Sequence, residues 1–205
     1  MEKDEYNTIK DPAKGYYKSK GSRFLSFAYP VHSGDEAEEI VELSRKEYHD
    51  ARHHCYAYSI GKNREKFRAN DDGEPSGSAG KPILGQLYSY EVTNTLVVVV
   101  RYFGGTLLGV GGLISAYRNA AGDALSNATI IREYMVSRYV LTFPYPIMND
   151  VMRIMDNKGV FIEKQNFTET CSLQVAIRES MNETIKNKLN IFNELSIELK
   201  RARHS

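Results

Sequence analysis

The sequence predicts an α+β protein with two domains. Strand-like apolar runs and helical spacings both occur along the 205 residues. The pattern changes near Arg132, and from there the elements follow the order β-α-β-β-α-β. That order is typical of the split βαβ, or ferredoxin-like, motif. We therefore expect a first domain at residues 1–135 and a ferredoxin-like domain at residues 136–205.

The first domain begins its regular structure with a strand at residues 22–31, which Pro30 ends. Ser33 and Glu36 form a capping-box pattern, which predicts the start of a helix. One side of that helix carries an apolar stripe formed by Ala37, Ile40, Val41, Leu43 and Tyr48.

The rest of the first domain alternates strands with helices. Residues 62–68 are polar and predict a loop or hairpin turn. Pro82 is tolerated in the first turn of the helix that follows. The predicted strands are 53–61 and 94–103, and the predicted helices run through 85–91 and 114–128.

The second domain has a clear pattern of its own. Residues 146–159 have helical spacing and end at Gly159, whereas two later segments alternate as strands. The predicted strands are 138–145, 160–167, 169–179 and 194–202, and the predicted helices are 146–159 and 181–192.

Two glycine-rich loops, Asp71–Pro82 and Arg101–Leu113, each precede a helix and flank an apolar strand. A helix start exposes unpaired N–H groups, and glycine lets a ligand approach them closely. This predicts an anion site, with a phosphate as the expected ligand and Arg118 as a nearby basic residue. The alternative is that the glycines serve only turns and packing, and neither loop matches a nucleotide fingerprint. The candidate anion-binding residues are Ser76, Gly77, Ser78, Lys81, Arg101, Gly104, Gly105, Gly111 and Gly112.

An acidic cluster, Asp71, Asp72 and Glu74, surrounds Gly73. Carboxylates are the ligands that Mg2+ prefers, so a Mg2+ ion against a phosphate is one interpretation. The other is a turn in which Asp71 or Asp72 binds the local backbone. Apart from this Mg2+ candidate, the sequence indicates no metal site and no cofactor.

His53, His54 and Cys55 are adjacent on a predicted strand. Alternation places His53 and Cys55 on one face and His54 on the other. Cys55 is expected to be a small core residue. His53, His54, Asp72 and Glu74 are weak candidates for acid–base catalysis.

The basic run Lys62, Arg64, Lys66 and Arg68 is a candidate RNA contact, with a solvated turn as the alternative. The net charge of +1, from 27 basic and 26 acidic residues, gives no reason to expect DNA binding. The chain shows neither a signal peptide nor a run of roughly twenty apolar residues, so we expect a cytoplasmic protein that does not enter a membrane.

Three segments, residues 50–61, 71–87 and 98–117, resemble the YigZ/Impact family of translation regulators, in particular its bacterial YigZ-like branch. The resemblance implies an Impact N-terminal-like domain with the fold of ribosomal protein S5 domain 2, followed by the ferredoxin-like domain. It also implies contact with RNA or the ribosome, by analogy of fold.

The expected function is therefore that of an RNA- or ribosome-associated translation regulator with a phosphate site at the glycine loops. The alternative is an enzyme that acts on a phosphorylated small molecule or nucleotide. The residues leave open whether there is any catalysis.

Overall fold

The structure is a computed structural model and describes residues 4–200. These residues form two units: one contains residues 6–133, and the other contains residues 4 and 5 together with residues 134–200. Both units combine helices with antiparallel strands, which confirms the predicted mixture of α and β structure. The division falls two residues before the expected boundary at 135, and separate folding of the two units stays a prediction.

Eleven strands and five α-helices make up the regular structure of the described residues. The strands are β1 (Glu5–Ile9), β2 (Ala13–Ser19), β3 (Ser22–Pro30), β4 (His53–Ile60), β5 (Lys66–Asn70), β6 (Thr95–Tyr102), β7 (Ile130–Tyr134), β8 (Val136–Pro144), β9 (Val160–Asn166), β10 (Thr170–Arg178) and β11 (Ser196–Leu199). The helices are α1 (Gly34–Glu47), α2 (Gly80–Ser89), α3 (Gly109–Ser126), α4 (Met148–Met155) and α5 (Asn182–Leu189).

The first unit contains an antiparallel sheet in the order β2-β3-β6-β4-β5. Its central strand, β6, is buried on both faces, which explains its continuous apolar run. On one face, Val97 and Val99 pack with Cys55 and with residues of α2 and α3. On the other face, Val98 and Val100 pack with residues of α1. Alternation along β4 and β6 therefore decides which side chains reach the α2–α3 side of the sheet.

The start of α1 follows the predicted capping pattern with one difference. The Ser33 hydroxyl accepts the N–H of Glu36 at 3.1 Å, as a capping box requires. The Glu36 carboxylate, however, accepts the N–H of His32 at 2.7 Å, one residue before the cap. Ala37 and Val41 are buried as predicted, but Leu43 is 61% exposed, so its place in the apolar stripe was wrong.

The second unit has the predicted element order, β8-α4-β9-β10-α5-β11. Its antiparallel sheet has the order β11-β8-β10-β9. Alternate residues of the two central strands, such as Leu141 and Leu173, are fully buried and pack with Val151 of α4 and Ile185 of α5. Residues 201 and 202, the end of the last predicted strand, lie outside the described residues.

Four short strands escaped prediction, and all of them are polar or lie at sheet edges. β2 and β5 are the two edge strands of the five-stranded sheet, and β1 pairs with β7. The segment 62–68, expected to be a loop or turn, contributes residues 66–68 to β5. Edge strands have one solvated side, so their sequences lack the apolar runs that mark central strands.

Candidate functional site

A pocket of about 460 Å3 lies in the first unit, between the turn before α2 and the loop before α3. Both glycine-rich segments contribute residues to it. The charged and polar side chains that line it are those of Arg52, His53, Glu74 and Arg101. Apolar side chains also line it, including those of Phe103, Leu107 and Val110.

Strand register places Arg101 at the centre of the site. In the pairing of β4 with β6, His53 is the direct partner of Arg101. Arg101 lies on the same face of β6 as Val99, toward α2 and α3, because side chains alternate along a strand. Only 6% of Arg101 is exposed. A guanidinium this deeply buried needs a counter-charge.

Glu74 supplies that counter-charge. Arg101 donates from Nη1 to Oε1 of Glu74 at 2.6 Å, and the Glu74 side chain is only 4% exposed. The hydroxyl of Tyr117, on α3, donates to the same Oε1 at 2.7 Å. The Nε atom of Arg101 is buried and has no hydrogen-bond partner among residues 4–200. The pocket therefore contains a buried cation whose buried Nε–H has no partner among the described residues.

Cys55 lies beside this ion pair but is not a nucleophile. Its thiol is buried and contacts the Tyr117 hydroxyl at 3.3 Å. Burial raises the pKa of the Cys55 thiol well above its ordinary value, and the nearby Glu74 carboxylate raises it further. Because the thiolate is the reactive form, Cys55 stays inert, which agrees with its expected role in the core.

His53 presents one ring nitrogen to the pocket. Its Nδ1 lies 2.9 Å from the backbone oxygen of Asp72, which can only accept a hydrogen bond. Nδ1 must therefore carry the proton, and in the neutral ring Nε2 is an acceptor. Nε2 lies 4.0 Å from Oε1 of Glu74. This arrangement orients the ring so that Nε2 lies beside the carboxylate.

The start of α2 is satisfied by the chain itself. Asp71 accepts the backbone N–H groups of Gly77, Ala79 and Gly80 at 2.7, 3.0 and 2.8 Å. Burial alone raises the pKa of the Asp71 carboxyl, but these three N–H groups outweigh it and hold the pKa below its usual value. Asp71 thus occupies the place at this helix start that an external anion would take. The four candidates on this side, Ser76, Gly77, Ser78 and Lys81, stay a prediction.

Asp72 and His54 belong to the opposite side of the sheet. Asp72 binds Arg45 through both carboxylate oxygens, at 2.6 and 3.2 Å, and accepts the N–H of His54. Asp72 has φ 42° and Gly73 has φ 84°, so two successive residues of this turn are left-handed. The strained turn is held by these contacts, and it aims the Asp72 carbonyl at His53. The side chains of Asp72 and His54 thus point away from the pocket that His53 and Glu74 line.

The three carboxylates of the acidic cluster do not converge. Asp71 faces the start of α2, Asp72 faces Arg45, and Glu74 faces Arg101. In the part of the chain that the structure describes, no group of three His, Cys, Asp or Glu side chains is placed to hold a metal ion. The geometry instead matches the alternative interpretation, in which Asp71 binds the local backbone.

The start of α3 differs from that of α2. No side chain within residues 4–200 caps it, and its first turn contains no acidic residue. Gly105 and Gly109 have φ values of 84° and 70°, and a Cβ at Gly105, Gly109 or Gly111 would meet no described atom within 4 Å. Three glycines beside the pocket thus leave open space above the backbone. Gly112 has less room, because a Cβ there would lie 3.0 Å from Leu108.

Gly104 has a structural role instead. Its N–H donates to the hydroxyl of Ser22 at 3.1 Å. A Cβ at this position would collide with the backbone of Gly21 and Ser22. Gly104 therefore allows the loop to approach the β2–β3 turn, and its N–H is already bonded within the chain.

The basic run does not form a single surface of free cations. Arg64 stacks on Tyr88, with 4.5 Å between the guanidinium carbon and the ring centroid, and Arg68 forms an ion pair with Glu38. Lys62 lies in the turn after β4, whereas Lys66 lies on the edge strand β5. Arg118, the basic residue expected near the glycine loops, is exposed on α3 and is not among the residues that line the pocket.

Sequence reasoning missed Arg52 and the apolar wall of the pocket. Arg52 directly precedes the His53–Cys55 motif, and no spacing rule distinguishes it. Leu107 and Val110 lie among the glycines of the second loop, and they are 82% and 52% exposed. Apolar residues in an exposed glycine-rich loop are a signal for ligand contact that sequence alone could have used.

Comparisons with known proteins match the first unit, which contains the pocket, to a known domain family. The Impact N-terminal domain family matches residues 20–125. The IMPACT family member YvyE of Bacillus subtilis is 30% identical over 194 residues, covering 95% of this chain and 86% of its own length. The IMPACT family member YigZ of Escherichia coli is 34% identical over 182 residues, covering 88% and 89%.

A solved structure matches nearly the whole chain. The crystal structure of a hypothetical protein superposes with a TM-score of 0.70 at 31% identity, covering 98% of this chain and 99% of that one. Within residues 4–200, no helix combines the length and apolar character needed to cross a membrane. The family match, which includes both glycine-rich loops, and the two long alignments confirm the resemblance drawn from the motifs: the chain belongs to the IMPACT family.

Proposed function

We propose that this protein is an RNA- or ribosome-associated translation regulator that binds a phosphate group at the start of α3. The observation that carries the proposal is the pocket itself. The uncapped start of α3, the buried Arg101 and the exposed Arg52 line one cavity. Unpaired N–H groups at the positive end of a helix attract anions, and guanidinium groups bind phosphate strongly.

The two helix starts support different roles. Asp71 supplies the negative charge at α2 from within the chain. The first turn of α3 has no such carboxylate among the described residues. We therefore assign the phosphate to Arg101, Gly105, Gly111 and Gly112, with Arg52 added.

Family resemblance extends the proposal to translation. The first unit is proposed to have the fold of ribosomal protein S5 domain 2, and the second a ferredoxin-like fold, both of which occur in translation proteins. A cytoplasmic location follows from that role. Lys62, Arg64, Lys66 and Arg68 stay a proposed RNA contact, although RNA would have to displace Glu38 from Arg68.

Replacing Gly111 by aspartate tests the phosphate position. The new carboxylate enters open space in the first turn of α3, where it stabilises the helix by about 0.3–1 kcal/mol. We expect G111D to melt at a higher temperature than the parent without phosphate. We also expect it to lose the rise in melting temperature that phosphate gives the parent, because ligand stabilisation depends on occupancy.

Gly85→Asp is the matched control. Gly85 lies on α2 and also has open space around its Cβ position. G85D adds the same charge away from the pocket, so its phosphate response should equal that of the parent. A full phosphate response in G111D would place the anion elsewhere and overturn the proposal.

An enzyme acting on a phosphorylated small molecule is the second candidate. The observation that favours it is the orientation of His53, whose Nδ1 bonds the Asp72 carbonyl and whose Nε2 lies beside Glu74. A general base needs that orientation. Turnover of a phosphate ester that is lost in His53→Gln but kept in His54→Gln would favour the enzyme, whereas phosphate binding without turnover favours the regulator.

A further inference from the structure

We infer that the pocket binds a nucleoside 5′-phosphate, with the phosphate at the start of α3, the ribose at Glu74 and the base on the apolar wall. This inference rests on the proposed function, since it uses the same phosphate position. It adds the chemical class of the ligand. Three kinds of surface meet in one cavity of about 460 Å3, a size typical of sites for small ligands.

The phosphate position has support beyond the helix start. Arg101 is 6% exposed and lines the pocket, yet its buried Nε lacks a hydrogen-bond partner in the described chain. A buried N–H without a partner is unfavourable, so it needs an explanation, and an anion bound beside it provides one. The guanidinium carbon lies 5.7 Å from the ring centroid of Phe103, which is 56% exposed. Arg101 therefore lies between the pocket and an exposed aromatic ring.

The pocket also contains a hydrogen-bond acceptor. An inorganic phosphate ion is bound by donors, so it would leave this acceptor unused. Both hydrogen bonds of Glu74, from Arg101 and Tyr117, go to Oε1. Oε2 makes none within residues 4–200, and Nε2 of His53 lies 4.0 Å from Oε1 of the same carboxylate. A ligand that is anionic throughout would be repelled by Glu74. A sugar hydroxyl donates to a carboxylate, so a ribose linked to the phosphate satisfies both sides of the pocket.

The apolar side chains that line the pocket account for the third part of the proposed ligand, which is the base. Phe103, Leu107 and Val110 are 56%, 82% and 52% exposed, all on the loop and first turn beside the phosphate position. Exposed apolar groups clustered at a pocket indicate a ligand surface. A planar base can stack on Phe103, as bases do on aromatic side chains in nucleic-acid-binding proteins.

Binding of four probes to the full chain tests the inference: inorganic phosphate, ribose 5-phosphate, AMP and adenosine. We expect AMP to bind most tightly, then ribose 5-phosphate, then phosphate. Phe103→Ala should weaken AMP about tenfold, the scale of one stacked base, and leave phosphate unchanged. Phe67→Ala is the matched control, because Phe67 is 60% exposed on β5 outside the pocket.

The outcomes separate this inference from the proposed function. If phosphate binds but AMP binds no more tightly, or if F103A leaves AMP binding unchanged, the nucleotide inference is wrong while the phosphate site stands. If no probe binds, both are wrong. If AMP binds, a further comparison identifies where the nucleotide comes from. It uses a short RNA with a 5′-phosphate and the same RNA bearing a 5′-hydroxyl. Preference for the phosphorylated RNA over AMP identifies an RNA end, and binding of AMP alone identifies a free nucleotide.

Discussion

Replacing Arg101 by methionine should lower the free energy of unfolding of the first unit by about 3–5 kcal/mol. The substitution keeps most of the side-chain volume but removes the partner of Glu74. Glu74 is 4% exposed, so its carboxylate would stay buried without a counter-charge. That uncompensated charge, rather than a cavity, is the expected cause. Urea unfolding followed by circular dichroism measures the change.

A second substitution separates the effect of the unpaired charge on stability from the effect of lost side-chain packing. Adding Glu74→Gln to R101M removes the buried negative charge and keeps an oxygen that can accept the Tyr117 hydroxyl. We expect the double variant to be more stable than R101M alone, since a buried ion pair costs less to replace than to break. If R101M is as stable as the parent, the buried pair does not hold the site together.

The second large loss of stability is expected on substitution of Asp4, in the second unit. Asp4 is 2% exposed, pairs with Arg178 at 2.6 Å and accepts both the N–H and the hydroxyl of Ser180. Asp4→Asn should therefore destabilise this unit by about 3–5 kcal/mol. Asp11→Asn makes the same chemical change at an exposed residue and should shift stability by less than about 0.5 kcal/mol. Equal unfolding curves for D4N and D11N would contradict this account.

This stabilisation depends on pH in a defined direction. The hydrogen bond from Arg178 is the main cause that holds the pKa of the Asp4 carboxyl far below its usual value, and the bonds from Ser180 add to it while burial opposes it. The stabilisation is therefore fully present above the unfolded pKa of about 3.9 and is lost as pH falls through the folded value. The stability difference between parent and D4N should be constant near neutral pH and shrink below about pH 4. A difference that grows in acid would contradict the assigned sign.

Central strands and helices could be predicted because their sequences carry the burial pattern. The run Thr95–Tyr102 is apolar on both faces, and Ser33 with Glu36 marks a helix start by local hydrogen bonds. Edge strands such as β5 carry no such signal, since one side of their backbone faces solvent. Asp4 joins the second unit through contacts with residues about 175 positions away, which no local rule detects.

The candidate site was predictable in its location but not in its chemistry. Residues of both glycine-rich loops do line a pocket, and the phosphate expected there stays a prediction. The capping rule looks for a side chain at the N-cap, which in α2 is Ala79, whereas the actual carboxylate comes from Asp71, eight residues earlier. The pairing of Glu74 with Arg101 depends on strand register and on a left-handed turn at Asp72 and Gly73. Both features arise only when the chain has folded.

Amide chemical shifts during a phosphate titration of the isotope-labelled chain test the central claim most directly. The account predicts that the largest changes occur at the backbone N–H groups of residues 105 and 109–112 and at the Nε–H of Arg101. The N–H groups of Gly77 and Gly80 should change little, because Asp71 already binds them. Changes centred on residues 77–80, or no saturable change at either helix start, would contradict the assignment of the phosphate site to α3.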